Sequence, residues 1–277
     1  MGHMSKTNKI VLQIVIILCF LAISDSIGQV PEWKKVLSFP ITSPITAVSI
    51  DRYGLFYTAN EQGNIQKYDS TGSLLLTYSA PKKSDITILE AWRNVNIFVF
   101  YRSFQEFVFL DRFLSSSPNG KLRTSSIGFA RLATPSYDNN IWVIDERDFS
   151  LKKYNLLSGS VDLTTPLDLL LDPTIYDLNY IKEYQNMVFV NDKNSGILIF
   201  DNMGNYKTKI SIKGLSMINF YNDEICFLED SKVKFINNFT FSERVENLPE
   251  IGDYTNFLYS SSRLYLFTEK EITVYKR

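Results

Sequence analysis

One pattern recurs six times along the chain and leaves few folds open. A short apolar run is followed by a polar turn and then by a second run that carries an aromatic or aliphatic residue near its end. The first copy is Leu55 to Asn60 with Ile65 to Asp69, the second Ile97 to Phe100 with Phe107 to Asp111, and the third Ile141 to Ile144 with Leu151 to Asn155. Three more follow, starting at Met187, Ile225 and Leu264, with partner runs at Ile197, Val233 and Ile272. Successive copies start 38 to 46 residues apart. Within each run the alternation has a period of two, which marks strands and excludes helical solenoids. Several strands per unit at a period near 40 residues indicate the blades of a β-propeller.

Each unit also needs an inner and an outer strand. Ile45 to Ile50 fits the inner strand of the first blade, and Ser73 to Tyr78 fits its outer one. The last copy ends at Arg277 with only three strands, while Trp33 to Phe39 precedes the first blade without a blade of its own. The expected fold is therefore all-β, a six-bladed propeller whose N-terminal strand closes the last blade and hides the free edges of the ring. The turns Asp69 to Gly72 and Asp201 to Gly204 open on Asp and close on Gly, as tight turns favour.

The N-terminus reads as an export signal. Lys6 and Lys9 precede an apolar run from Ile10 to Ile23, and small residues at Ser26 and Gly28 suit cleavage before Gln29. Residues 1–28 are assigned to this signal and 29–277 to a single propeller, with Met1 to His3 resembling a cloning remnant. The run is short for a bilayer span, so no stable transmembrane segment is expected after cleavage. The expected location is the periplasm or the outer-membrane surface.

Removal of the signal takes away His3, the sole histidine, and Cys19, leaving Cys226 as the single thiol. Ser-His-Asp and Cys-His catalysis and zinc sites of His or Cys pairs are thereby excluded. Cys226 falls in the alternating run Glu224 to Leu228, where a buried strand position is expected. With 29 Lys and Arg against 30 Asp and Glu, no net field attracts nucleic acid. Neither a phosphate-binding glycine loop nor a dinucleotide fingerprint is present. The many aromatics, including Phe56, Phe98, Trp142 and Phe189, fit packing between blades better than sugar stacking.

The first blade, from Ala47 to Asn60 through Ile65 to Gly72, resembles the NHL repeat, whose pattern is a dGxxyVaD core followed by IxxfdxxG. Val188 to Gly204 is similar, and the other four copies share the hydrophobic skeleton. Phe129 to Ala133, Asp138 to Trp142 and Asn194 to Asn202 also resemble a group of short exported bacterial propellers. More remotely, the chain is similar to the plug-like accessory of the type IX secretion translocon. These resemblances imply a propeller fold and no assigned chemistry.

Five residues after each repeat start stand Asn60, Arg102, Glu146, Asp192, Asp230 and Glu269, a tier rich in carboxylates. Hard cations take carboxylate and amide oxygens, so Asn60, Glu146, Asp192, Asp230 and Glu269 are candidate calcium ligands. The competing reading makes them turn-capping groups that bond their own backbone. Lactonases and related calcium-dependent hydrolases of six-bladed form give the calcium reading an enzymatic version. Between the third and fourth blades, Leu167, Leu169, Leu170 and Leu171 form either a hook packed on the propeller or an exposed docking patch for a protein. Phe113 to Ser126 reads as a mobile loop. The expected function is a monomeric, noncatalytic protein-binding or assembly scaffold of the bacterial cell envelope, without a required cofactor. The alternative is a calcium-dependent, lactonase-like hydrolase.

Overall fold

The computed structural model describes residues 32–92, 96–116 and 120–277. The leader, residues 1–28, and its cleavage position lie outside the described residues. Strand β1 (Lys34–Pro40) comes first and joins the blade made last. Blade 1 is β2 (Ile45–Ile50), β3 (Phe56–Asn60), β4 (Ile65–Tyr68) and β5 (Leu74–Tyr78). Blade 2 is β6 (Ile88–Glu90), β7 (Ile97–Tyr101), β8 (Glu106–Leu110) and β9 (Gly120–Lys121). Blade 3 is β10 (Ala130–Pro135), β11 (Ile141–Asp145), β12 (Ser150–Tyr154) and β13 (Val161–Pro166). Blade 4 is β14 (Leu178–Tyr184), β15 (Met187–Asp192), β16 (Gly196–Asp201) and β17 (Tyr206–Ile210). Blade 5 is β18 (Asn219–Tyr221), β19 (Glu224–Glu229), β20 (Lys232–Asn237) and β21 (Glu243–Asn247). Blade 6 joins β22 (Asn256–Tyr259), β23 (Arg263–Phe267) and β24 (Glu271–Lys276) to β1.

Every blade is thus a four-stranded antiparallel sheet, and the six-bladed propeller expected from the repeats is the observed fold. Closure occurs as the spare N-terminal strand suggested: Lys34 pairs with Lys276 and Phe39 with Ile272. The seam between blades 6 and 1 is tied further by the Tyr265 hydroxyl, which donates to the carbonyls of Gly54 and Ser70 at 3.2 and 3.3 Å. The Phe56 and Tyr265 rings lie 4.6 Å apart across the same seam.

Alternation explains the core. Phe56, Phe98, Trp142 and Phe189, each near the start of a second strand, are fully buried, and burial of such side chains contributes roughly 1.5–3 kcal/mol each. Cys226 occupies the matching run of blade 5 and is buried as a free thiol.

Polar turn residues act as local clamps. The third-to-fourth-strand turns of blades 1 to 5 open on Asp69, Asp111, Asn155, Asp201 and Asn237. Each places a side-chain oxygen on two backbone N–H groups of its own turn. Gly72 and Gly204 close two of these turns at φ +98° and +79°, values that only glycine adopts without strain.

One expectation needs correction. The stretch Phe113 to Ser126 contains the outermost strand of blade 2, with Lys121 opposite Glu106 and Gly120 opposite Phe107. Its apolar anchors Leu114 and Leu122 are buried and dock it on the blade. Gly120 lies so close to the Phe107 ring that a Cβ there would overlap it at 2.1 Å.

The up-and-down order sorts the turns into two faces. Turns between first and second strands and between third and fourth strands share the AB face. Turns between second and third strands, and the links between blades, share the BC face.

Candidate functional site

The carboxylate tier lies on the BC face. Asn60 Oδ1 accepts the N–H groups of Gln62 and Asn64 at 3.0 and 3.1 Å. Glu146 accepts from Arg131 at 2.7 Å and from the Tyr176 hydroxyl at 3.3 Å. Asp192 Oδ1 takes the Asp177 N–H at 2.6 Å. Asp230 stands in the β19–β20 turn at φ +50°, and Glu269 in the β23–β24 turn beside an open cleft of about 700 Å³. No hydrogen bond or ion pair joins any two of these five. Among the described residues, no three His, Cys, Asp or Glu side chains are grouped to hold a metal ion.

The neighbouring acid Asp145 shows what this tier does locally. Its fully buried carboxylate accepts the N–H groups of Gly128, Phe129 and Arg147 and pairs with Lys152 at 2.8 Å. Burial works to raise the group, but the Lys152 ammonium and the three amides outweigh it and hold the carboxyl below its ordinary range. Asp145 and Asp192 end the second strands of adjacent blades, and each fastens the link that enters the inner strand of its own blade.

Inside the ring the inner strands do not leave an open bore. Glu90 on β6 and Lys182 on β14 are both buried and form an ion pair at 3.2 Å. They belong to blades 2 and 4, so the pair passes inside blade 3. The Lys182 ammonium lies 5.5 Å from the Trp92 ring centroid and 5.4 Å from that of Phe220, distances at which a cation is attracted to a ring face. Trp92 also packs 5.7 Å from Tyr184. One polar and aromatic cross-brace therefore ties blades 2, 4 and 5 through the channel. Tyr180 on the same inner strand is packed against the clusters on both sides of its blade, and burial pushes its phenol well above the ordinary value.

Above this brace, the AB end opens into a cavity of about 660 Å³ lined by turns of blades 1, 2, 4, 5 and 6. Trp92, Tyr184, Phe220, Tyr221 and Tyr259 supply its aromatic wall, and Asp51, Asp223 and Arg52 bring charge to it. Asp51 accepts the N–H groups of Tyr53 and Leu55 at 2.9 and 3.0 Å and the Tyr57 hydroxyl at 3.2 Å, and burial raises its carboxyl. Asp223 Oδ1 accepts from Gln185 at 2.7 Å. Burial first, with the charge of Asp223 among the lesser causes, pushes the Tyr184 phenol up to about 12.

The leucine segment divides. Leu167 and Leu171 are buried in the core of blades 2 to 4, Leu170 packs against it, and Leu169 is 91% exposed. The run turns on itself through N–H bonds from Leu170 and Leu171 to the Leu167 carbonyl, forming a hook anchored on the propeller.

Sequence reasoning passed over Glu90, Trp92, Lys182 and Tyr184. A signal was present: each charged residue stands two positions before an aromatic at the end of an apolar inner run. The short strand β6, only three residues long, hid it.

No protein-family model matches the sequence, and no curated protein sequence matches it either. Solved structures do. BamB from Moraxella catarrhalis superposes with a TM-score of 0.53 at 12% identity, over 88% of this chain and 100% of that one. A catalytically inactive virginiamycin B lyase from Staphylococcus aureus with quinupristin gives 0.62 at 11%, over 89% and 100%. YCF48 bound to D1 peptide gives 0.57 at 9%, over 90% and 97%. At such identities the likeness is one of fold, and the chain is a six-bladed β-propeller that shares its architecture with a peptide-bound protein and with a lyase.

Proposed function

We propose that the protein is an exported, noncatalytic propeller that serves as a protein-binding or assembly scaffold in the bacterial cell envelope. One observation carries this reading: the Glu90–Lys182 pair crosses the channel beneath the Trp92 ring, which leaves an aromatic-walled mouth of about 660 Å³ for a protruding segment. Of the candidate ligands, Asn60 accepts N–H groups of its own turn, Asp192 accepts the Asp177 N–H, and Glu146 pairs with Arg131. Export rests on the leader sequence, and no helix among the described residues is long and apolar enough to cross a membrane.

The fold serves a peptide complex in YCF48 and catalysis in a lyase, so the choice rests on this chain's own channel. At the BC face, Leu169 is the leucine of the hook that reaches solvent and is the candidate contact there.

Thermal melting with excess calcium and with EDTA, alongside ester and lactone hydrolysis assays, tests the reading. A ligand that binds only the folded state raises its melting temperature. The scaffold reading expects coincident melts and no turnover. A calcium-dependent rise of several degrees, accompanied by hydrolysis, would replace it with the hydrolase.

A further inference from the structure

The outer strands form the side wall of the ring, and in four blades the outer strand carries a bulge. The residue that the bulge leaves unpaired differs around the ring. In blade 3 it is Asp162 and in blade 4 Lys207, both exposed and charged. In blade 1 it is Leu75, and on the closing strand β1 of blade 6 it is Val36. A bulge re-aims side chains, and the two blades that meet at the closing seam aim aliphatic groups outward. Leu37 and Leu74 stand beside them, and the four side chains are 41 to 53% exposed. Leu37 reaches across the seam to the turn that precedes Leu74, since a Cβ on Gly72 would lie 3.2 Å from it.

Bases flank this patch. Lys34 on β1 stands opposite Lys276 on β24, and Lys276 stands opposite Arg263 on β23. Like charges directly opposite one another destabilise a sheet, and this row forms no ion pair among the described residues. The Nη1 of Arg263 is buried without a hydrogen-bond partner there. The next row on the same face is Leu37, Val274 and Tyr265, so the charged row borders the aliphatic one. Glu32 precedes the row by two residues, and Asp69 in the facing turn engages its Oδ1 with the N–H groups of Thr71 and Ser73.

We infer that the side wall at this seam docks on an anionic lipid bilayer. Lipid phosphates would pair with Lys34, Lys276 and Arg263 while Val36, Leu37, Leu74 and Leu75 enter the headgroup boundary, the two contributions that together hold a protein on a membrane surface. The chain leads to the same place. Ten residues separate the apolar run Ile10 to Ile23 from Lys34, and they reach at most about 35 Å, so a leader inserted in the membrane delivers β1 beside it. Docking through the side wall leaves both ends of the channel open, so it goes beyond the scaffold reading and does not depend on it.

Vesicle flotation of the chain from Gln29 to Arg277, which contains all six blades, tests the docking without the leader's own affinity for lipid. The expected result is recovery with vesicles of phosphatidylglycerol and phosphatidylcholine in equal parts, and about tenfold weaker binding to phosphatidylcholine alone. Lys34→Glu and Leu75→Ser change exposed side chains, so both should keep the parent melting temperature, and each should weaken binding about tenfold. In Leu75→Trp the new indole should shift its emission to the blue when the anionic vesicles are added, whereas Ile251→Trp, exposed at the BC face, should not. Absence of flotation, equal binding to both kinds of vesicle, or binding indifferent to Lys34→Glu and Leu75→Ser would overturn the inference and leave the scaffold reading standing.

Discussion

Asp145 and Asp223 stand at opposite ends of the propeller, and among the described residues Asp145 pairs with Lys152 while Asp223 accepts from the Gln185 amide. At the BC face Asp145 meets Lys152 and three backbone amides, while Arg131 holds Glu146, Asp177 and the Leu178 carbonyl together. At the AB face Asp223 meets a glutamine amide and an aromatic-lined cavity. Exposed aromatics follow the same division. Tyr53, Phe113, Tyr137, Phe239 and Phe241 emerge from AB-face turns, against Phe129 at the BC face. The BC side thus uses polar groups to hold the links between blades, and the AB side carries more of the exposed aromatic side chains.

The largest expected effect lies at the BC face. Asp145→Ala leaves three amide groups without their acceptor and the buried Lys152 with only the half-exposed Asp148, and loss of one member of a buried pair costs about 3–5 kcal/mol. Denaturant unfolding should show it. A loss below ~1 kcal/mol would mean that the tier is solvated and the contrast between faces false.

The leucine hook gives a graded test within one segment. Leu167→Ala should cost about 2–5 kcal/mol because its side chain is fully buried. Leu169→Ala should stay within about 0.5 kcal/mol because that side chain is exposed. Equal losses would show that the segment is not anchored as a hook.

Acid separates Asp145 from Asp51 by sign. Asp69, Asp138, Asp145 and Asp201 have carboxyls held below their ordinary range in the fold. The unfolded chain therefore binds protons more readily than the fold does. Their contribution is complete above about pH 4 and is lost as the pH falls through that value toward the folded values. Asp51 at the AB mouth has the opposite sign: its raised carboxyl gains stability as the pH falls through its folded value. Urea midpoints between neutral pH and pH 3 should fall less steeply for Asp145→Asn than for the wild type, and more steeply for Asp51→Asn. Parallel acid limbs in all three proteins would contradict this assignment.

The smallest effect on stability is expected for Tyr53→Ser and Phe239→Ser, within about 0.5 kcal/mol, because both side chains are exposed on turns. Losses above ~2 kcal/mol in thermal melts would show that these rings belong to the packing.

Much of this architecture was legible in the sequence because it is written locally. Strand alternation, Asp and Gly at turn ends, and the spare run Trp33 to Phe39 are each contained within a few residues, and the sixfold spacing multiplies their signal. The channel brace was not legible: Glu90 and Lys182 come together only because ring closure brings non-adjacent inner strands around one axis. The carboxylates of the tier looked like a ligand set because they share a position in the repeat. Equal position in a repeat places residues on one face and does not make their side chains converge. The leucine run illustrates a similar limit, since composition counts four apolar side chains and only the turn at Leu167 shows which of them face inward.

Site-specific photocrosslinking in the native cell compares the two faces most directly. Benzoylphenylalanine would replace Tyr53 or Phe239 at the AB face and Ile251 at the BC face, all exposed positions. A discrete protein adduct from positions 53 and 239, absent from position 251, is the predicted result. Adducts confined to position 251, or none at any position, would contradict a partner-binding AB face.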